Sequence, residues 1–188
     1  MAIDSRIRQA FINTPRKYFL PENQRQYADV DIPLDIGFGQ TNSQPTTVKM
    51  MLTWLNPKIG DKVLDVGSGS GWTTALLANV VGPKGKVYAV ERITPLLKMG
   101  KNNCAKLGID NAYFYLATKI YGLPDYAPYN RILVSASAKR LPQKLLRQLQ
   151  VNGRMVLPVK DEIIVIDKIS QDKYKYSSHY GFLFVPLI

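Results

Sequence analysis

Val63-Leu64-Asp65-Val66-Gly67-Ser68-Gly69-Ser70-Gly71-Trp72 is the stretch that decides the fold. A short apolar run of strand type enters three glycines at alternate positions, and Thr73 to Val81 then reads as a helix. Glycine at such a turn lets the chain reverse sharply and lets a ligand approach the main chain. The unpaired N–H groups of the next helix offer themselves to an electronegative ligand group. The spacing is G-x-G-x-G, not the G-x-G-x-x-G of a dinucleotide site. Lys86 to Val90 forms the next strand, and Glu91 follows twenty residues after Gly71. A carboxylate there can accept hydrogen bonds from both hydroxyls of an adenosine ribose.

Working outward, strands and helices alternate. Pro95 to Leu107 reads as a helix ended by Gly108, Ala112 to Leu116 and Arg131 to Val134 as strands, and Leu141 to Leu149 as a helix stopped by Asn152-Gly153. Met155–Val159, Glu162–Ile169 and Ser177–Val185 follow, the first two joined by a tight Lys160-Asp161 turn. This order predicts an α/β fold: a Rossmann-like, doubly wound, mostly parallel sheet with antiparallel C-terminal strands. Upstream, Ser5 to Ile12 reads as a helix with Ser5 placed to cap it, and Pro45 to Leu55 as a second, with Val48, Met51, Leu52 and Leu55 apolar. Between them, residues 21–45 hold three prolines and two glycines and read as an irregular covering segment. A single domain over 1–188 is expected, with 1–56 as the covering segment, 57–150 as the ligand-binding core and 151–188 as the antiparallel strands.

The 188 residues, 46% of them hydrophobic, suit one core. No apolar run is long enough to cross a bilayer, and Met1-Ala2-Ile3-Asp4-Ser5-Arg6 lacks the layout of a signal peptide. One cysteine, Cys104, cannot make an intramolecular disulfide, and with a single histidine, His179, a Cys/His zinc site within one chain is excluded; no metal is expected. A cytoplasmic monomer is the expectation. Net charge is +11, and residues 131–188 carry ten basic against four acidic side chains. Arg140, Lys144 and Arg147 fall on one face of the expected 141–149 helix, with Leu141, Leu145 and Leu149 on the other. Two readings stand for that face: a solvated surface, or a site for an acidic partner, protein or nucleic acid.

Asp65-Val66-Gly67-Ser68-Gly69-Ser70-Gly71 resembles the first motif of class I S-adenosylmethionine-dependent methyltransferases. Further segments resemble one family among them, the protein-L-isoaspartate O-methyltransferases: Phe19-Leu20-Pro21, Gly37-Phe38-Gly39-Gln40-Thr41-Asn42-Ser43-Gln44-Pro45, Glu91-Arg92-Ile93, Gly122-Leu123-Pro124-Asp125-Tyr126-Ala127-Pro128-Tyr129, Asn152 to Val159 and Phe184-Val185-Pro186-Leu187. The likeness follows family order along nearly the whole chain. It implies S-adenosylmethionine as cofactor and methyl transfer to the free carboxylate of isoaspartyl residues in damaged or modified proteins. It implies that Asp65, Gly67, Ser68, Gly69 and Gly71 lie along the methionine portion, that Glu91 and Arg92 lie at the ribose, and that Thr118 lies at the adenine. Ser43 is implied as the residue that positions the acceptor, with Thr41, Asn42, Ser135 and Ala136 beside the substrate. From the residues alone, Ser43 is equally a cap for the helix opening at Pro45.

The likeness has gaps. Ala117-Thr118-Lys119 stands where the family has Gly-Asp-Gly, Asn42 where an apolar residue is usual, Asn130 where Asp is usual and Lys139 where Pro is usual. Two alternatives therefore stay open: a methyltransferase for another acceptor, such as a specific peptide or nucleic acid, and a non-catalytic S-adenosylmethionine-binding module.

Overall fold

The computed structural model describes residues 4–188; Met1 to Ile3, part of the stretch read for a leader, lie outside the described residues. Seven strands form the main sheet: β3 (Lys62–Val66), β4 (Lys86–Glu91), β5 (Ala112–Leu116), β6 (Tyr129–Val134), β7 (Leu149–Val159), β8 (Glu162–Lys168) and β9 (Tyr174–Tyr180). Their order is β5-β4-β3-β6-β7-β8-β9, parallel up to β7 and antiparallel from β7 to β9. From β3 the chain winds outward to β5 and then returns to place β6 on the other side of β3. Ligands of open α/β sheets bind outside the carboxyl ends of strands at such a reversal.

Both faces are covered, which is why the central strands are apolar throughout. Helices α3 (Trp72–Val81) and α4 (Thr94–Lys106), with α1 (Ser5–Asn13) and α2 (Pro45–Leu55), belong to one core that includes Val63, Val87 and Leu133. Leu64, Tyr88 and Ile132 belong to the core of the opposite face, with Leu145 and Leu146 of α5 (Gln143–Gln148). The two-residue period of β3 puts Asp65 on the α3 side with Val63.

Several expectations are corrected in detail. The cap of α1 is Asp4, not Ser5: its carboxylate accepts from the Arg6 amide at 2.8 Å. The covering segment is more ordered than its composition suggests. Leu34–Gly37 (β1) and Gln40–Asn42 (β2) pair as a hairpin because Leu34 and Ile36 alternate inward, while its tip, Gly37-Phe38-Gly39, is left-handed throughout. The helix expected over 141–149 is only α5, since Leu149 already pairs with Tyr129 in β7. Asn152-Gly153 is therefore an irregularity within β7 rather than a helix stop, with Asn152 left-handed at φ 64. The last strand ends at Tyr180, not Val185: Gly181 turns at φ 93, and the amides of Gly181 and Phe182 donate to the Asp161 carbonyl. The chain then crosses toward the carboxyl ends of the strands, where the Leu187 amide donates to the Ser137 carbonyl at 2.8 Å.

Among the described residues, no helix is long and apolar enough to cross a membrane, and no cluster of His, Cys, Asp and Glu could hold a metal ion.

Candidate active site

The turn after β3 opens on a cleft lined by both apolar and polar side chains, the makeup of sites for small organic ligands. One wall is Gly67 and Gly69, with Glu91 and Arg92 from the end of β4. Thr118, Ile120 and Tyr121 form the outer wall, Ser135 and Ala136 the floor after β6, and Val185 to Ile188 the roof. A smaller chamber adjoins it, shares Thr41, Gly67, Gly69 and Ser135, and adds Asn42, Ser43, Ser68 and Ser70. The larger space suits a cofactor and the smaller one an acceptor group.

The three glycines do different work. Gly69, at φ +52, lies under the hairpin, where an added Cβ would sit 3.2 Å from Ile36 Cδ1. Gly71 is not among the residues lining either space. An added Cβ would lie 2.8 Å from the Gly100 Cα, so Gly71 is where α3 and α4 touch backbone to backbone.

Two carboxylates organise the loop from beneath. Glu91 is 5% exposed; its Oε2 accepts from the Gly69 amide and its Oε1 from the Ile93 amide, each at 2.9 Å. Each oxygen keeps a second lone pair for hydroxyls in the cleft. Asp65 is fully buried and lies behind the cleft wall rather than in it. Its Oδ2 accepts from the hydroxyls of Thr73 at 3.0 Å and Thr74 at 2.6 Å, because the β3 pleat aims it at the start of α3. Burial pushes its pKa up to about 6, opposed by the two threonine hydroxyls and reinforced by the charge of Glu91. Its Oδ1 and the Ser68 Oγ are buried with no partner in the protein. Unmatched polar atoms and a costly negative charge under an open loop fit a ligand that brings positive charge and donors. The methionine portion of S-adenosylmethionine, with its ammonium and sulfonium, is of that kind.

Thr118 stands in the cleft wall, where its Oγ1 accepts from the Ile120 amide at 3.2 Å. Gln148 braces that wall from α5: its Oε1 accepts from the Leu123 amide and its Nε2 donates to the Tyr121 carbonyl. Ser43 does not cap α2. The N-terminal residue there is Gln44, and the Thr46 amide is taken by Asp31 at 2.8 Å. Among the described residues the Ser43 hydroxyl has no hydrogen-bond partner, so it is available to a bound group.

Sequence reasoning missed the residue that assembles this region. Arg16, 5% exposed, donates from Nε to Asn42 Oδ1 at 2.8 Å, and its two terminal nitrogens reach the carbonyls of Val30, Ile32, Asn42 and Ser43 at 2.8–3.1 Å. Its guanidinium lies over the Trp72 ring at 5.4 Å. Asn42 passes the tie on, donating from Nδ2 to Ser70 Oγ at 3.2 Å. Thus Asn42 lines the small chamber but is engaged on both sides, and its polarity is explained by Arg16. Asn130 is likewise structural: its Oδ1 accepts from the Lys62 amide at the far end of β3. Ser137, after Ala136, pins the tail and donates to the Lys160 carbonyl at 3.0 Å. The tail itself was also missed as a cleft wall. Neither Cys104, buried with its thiol pushed up to about 12 by burial, nor His179, stacked on Trp54 at 3.9 Å, lines either space.

A family model described as protein-L-isoaspartate(D-aspartate) O-methyltransferase matches residues 1–188. The protein-L-isoaspartate O-methyltransferase of Methanopyrus kandleri is 44% identical over 191 residues, covering 98% of this chain and 84% of that protein. That of Methanosarcina mazei is 41% identical over 189 residues, covering 99% and 78%. A solved protein-L-isoaspartate O-methyltransferase superposes with a TM-score of 0.90 at 28% identity; this chain spans 62% of its length. A putative Plasmodium falciparum counterpart, in complex with S-adenosyl-L-homocysteine, gives 0.84 at 24% identity over all of this chain and 92% of that one, a likeness of fold.

Proposed function

Because the chain belongs to the protein-L-isoaspartate(D-aspartate) O-methyltransferase family, we propose that it methylates the free carboxylate of L-isoaspartyl residues in damaged proteins and peptides. It is an S-adenosylmethionine-dependent O-methyltransferase. The observation that carries the reading is the pair of joined spaces at the β3/β6 reversal, with Glu91 and the buried Asp65 under the glycine loop and the free Ser43 hydroxyl in the smaller chamber.

When bound, S-adenosylmethionine supplies a methyl group on a positively charged sulfur that readily leaves it. The protein's share is binding and placement. Glu91 offers lone pairs to ribose hydroxyls, Gly67 and Gly69 leave room for close approach, and Thr118 offers an acceptor at the outer wall. Asp65 acts from below as a positioning charge. An acceptor carboxylate of ordinary pKa, ~4, is already ionised at neutral pH, so no general base is required. That matches a site whose walls hold no His or Cys. Ser43 donates to the acceptor carboxylate and fixes its attacking oxygen, with Thr41, Ser135 and Ala136 setting the walls. Orientation of this kind is worth up to ~7–11 kcal/mol in ideal cases. Residues 4–56 serve as the cover, drawn onto the loop through Arg16 and Asn42.

The test is methyl transfer from labelled S-adenosylmethionine to an isoaspartyl peptide and to its normal aspartyl twin. Labelling of the first alone is expected; equal labelling, or none, rejects the reading. With Ser43→Ala, kcat falls about 10–100-fold if the hydroxyl holds the acceptor in place, while affinity for S-adenosylhomocysteine stays the same.

A further inference from the structure

The cleft continues past the tail. Tyr121, Pro186, Leu187 and Ile188 line it and also line a second, broader groove. The far side of that groove carries Lys139, Arg140 and Lys144, all exposed. None of the three forms an ion pair among the described residues, and no acidic side chain lines the groove.

These charges stand on a fixed backbone. The Ala138 amide donates to the Pro158 carbonyl and the Lys160 amide to the Ala138 carbonyl, at 3.0 and 3.2 Å, holding the segment against the β7–β8 hairpin. On the other side, Leu145 and Leu146 of α5 are buried. The shared boundary with the cleft is equally fixed, since Ser137 bonds the tail at both Val185 and Leu187. A polypeptide whose modified residue sits in the smaller chamber must leave it past the walls that chamber shares with the cleft, and the groove lies beyond them, on the far side of the tail that roofs the cleft. Three unpaired cations there attract carboxylates on the passing chain.

On the isoaspartyl reading above, we propose that this groove receives the polypeptide flanking the modified residue and selects acidic side chains in it. Exposed charges of this kind act on encounter and on KM, and salt screens them.

The experiment uses the full chain and isoaspartyl peptides of equal length, with flanking residues on the N-terminal or the C-terminal side set to Glu, Gln or Lys. With three exposed pairs, Glu on one flank lowers KM about tenfold relative to Gln at low salt. The advantage fades as ionic strength rises from about 0.01 M to about 1 M. The variant Lys139→Gln/Arg140→Gln/Lys144→Gln loses that difference and keeps its kinetics on the Gln peptide. Reversal of the same three to Glu moves the preference to the Lys peptide. Equal KM for Glu and Gln peptides on both flanks overturns the proposal, as does a Glu preference that survives the triple variant. Inhibition by an RNA oligonucleotide that the triple variant abolishes, without any Glu preference, assigns the groove to nucleic acid instead and also overturns it. If even the Gln isoaspartyl peptide is not methylated, the isoaspartyl reading fails and this proposal falls with it.

Discussion

Arg16→Met is the substitution that most directly tests how the cover is held. The methionine fills part of the same volume but offers no donor. Six acceptors lose their partner: Asn42 Oδ1 and the carbonyls of Val30, Ile32, Asn42 and Ser43, with that of Ala28 the most distant at 3.5 Å. Val30 and Ile32 are exposed residues, so their carbonyls turn to water at small cost. Asn42 is buried, and each of its two abandoned acceptors costs about 1–3 kcal/mol. Part of this is offset because the guanidinium, which burial pulls down to about 10, no longer has to be desolvated. A net loss of about 3 kcal/mol follows, and for a chain of this size that lowers Tm by about 6–12 °C. The loss is also local, because Asn42 links to Ser70 in the glycine loop; affinity for S-adenosylhomocysteine should therefore fall along with Tm. Thermal unfolding and calorimetry on the same sample read both. Arg16→Lys retains at most three of the donors as a point charge and should fall between. A Tm within about 2 °C of the parent, with unchanged ligand affinity, refutes the view that this arginine holds the cover.

Three further outcomes follow from the site. Because burial raises Asp65 to about 6, its ionised form is disfavoured in the fold below that pH, and a cationic ligand that stabilises that form binds best above it. One unit below, about one molecule in ten is ionised, so S-adenosylmethionine should bind about tenfold more weakly at pH 5 than at pH 7; Asp65→Asn should flatten that slope, and an unaltered slope assigns it elsewhere. Gly71→Ala should cost about 2–4 kcal/mol, combining left-handed strain with overlap on the Gly100 backbone. Gly108→Ala, at φ +69 with open space around it, should cost only the strain, about 1 kcal/mol, and equal losses in denaturant melts count against the packing argument. Thr118→Asp keeps an oxygen for the Ile120 amide and adds a charged acceptor, so S-adenosylhomocysteine affinity should rise on the order of fivefold; no gain in calorimetry removes the adenine amino group from this wall.

What could be read from the sequence is what neighbouring residues decide among themselves. The β3 run, the alternating glycines and α3 form one continuous stretch, and each strand and helix of the core carries its own period and stop signal. The sheet order follows from that alternation, and the cleft from the reversal it creates. The errors fall where a distant partner settles a local choice. Leu149 reads as the end of a helix, yet β6 claims it through Tyr129, and its carbonyl accepts from Lys168 at 2.8 Å. Ser43 reads as a cap, but Asp31, a residue of the cover, reaches the first turn of α2 before it.

The same distinction explains the most misleading residue. Asn42 stands where the family resemblance leads one to expect an apolar side chain, and from sequence that difference points to a changed substrate. In space its oxygen faces the Arg16 guanidinium and its amide faces Ser70, 26 and 28 residues away. An apolar side chain there would leave Nε of a buried arginine without an acceptor, at a cost of about 1–3 kcal/mol. Arg16 and Asn42 are therefore one unit. A polar replacement beside a chamber argues for new chemistry only once its partners are known, and here both partners belong to the protein's own frame.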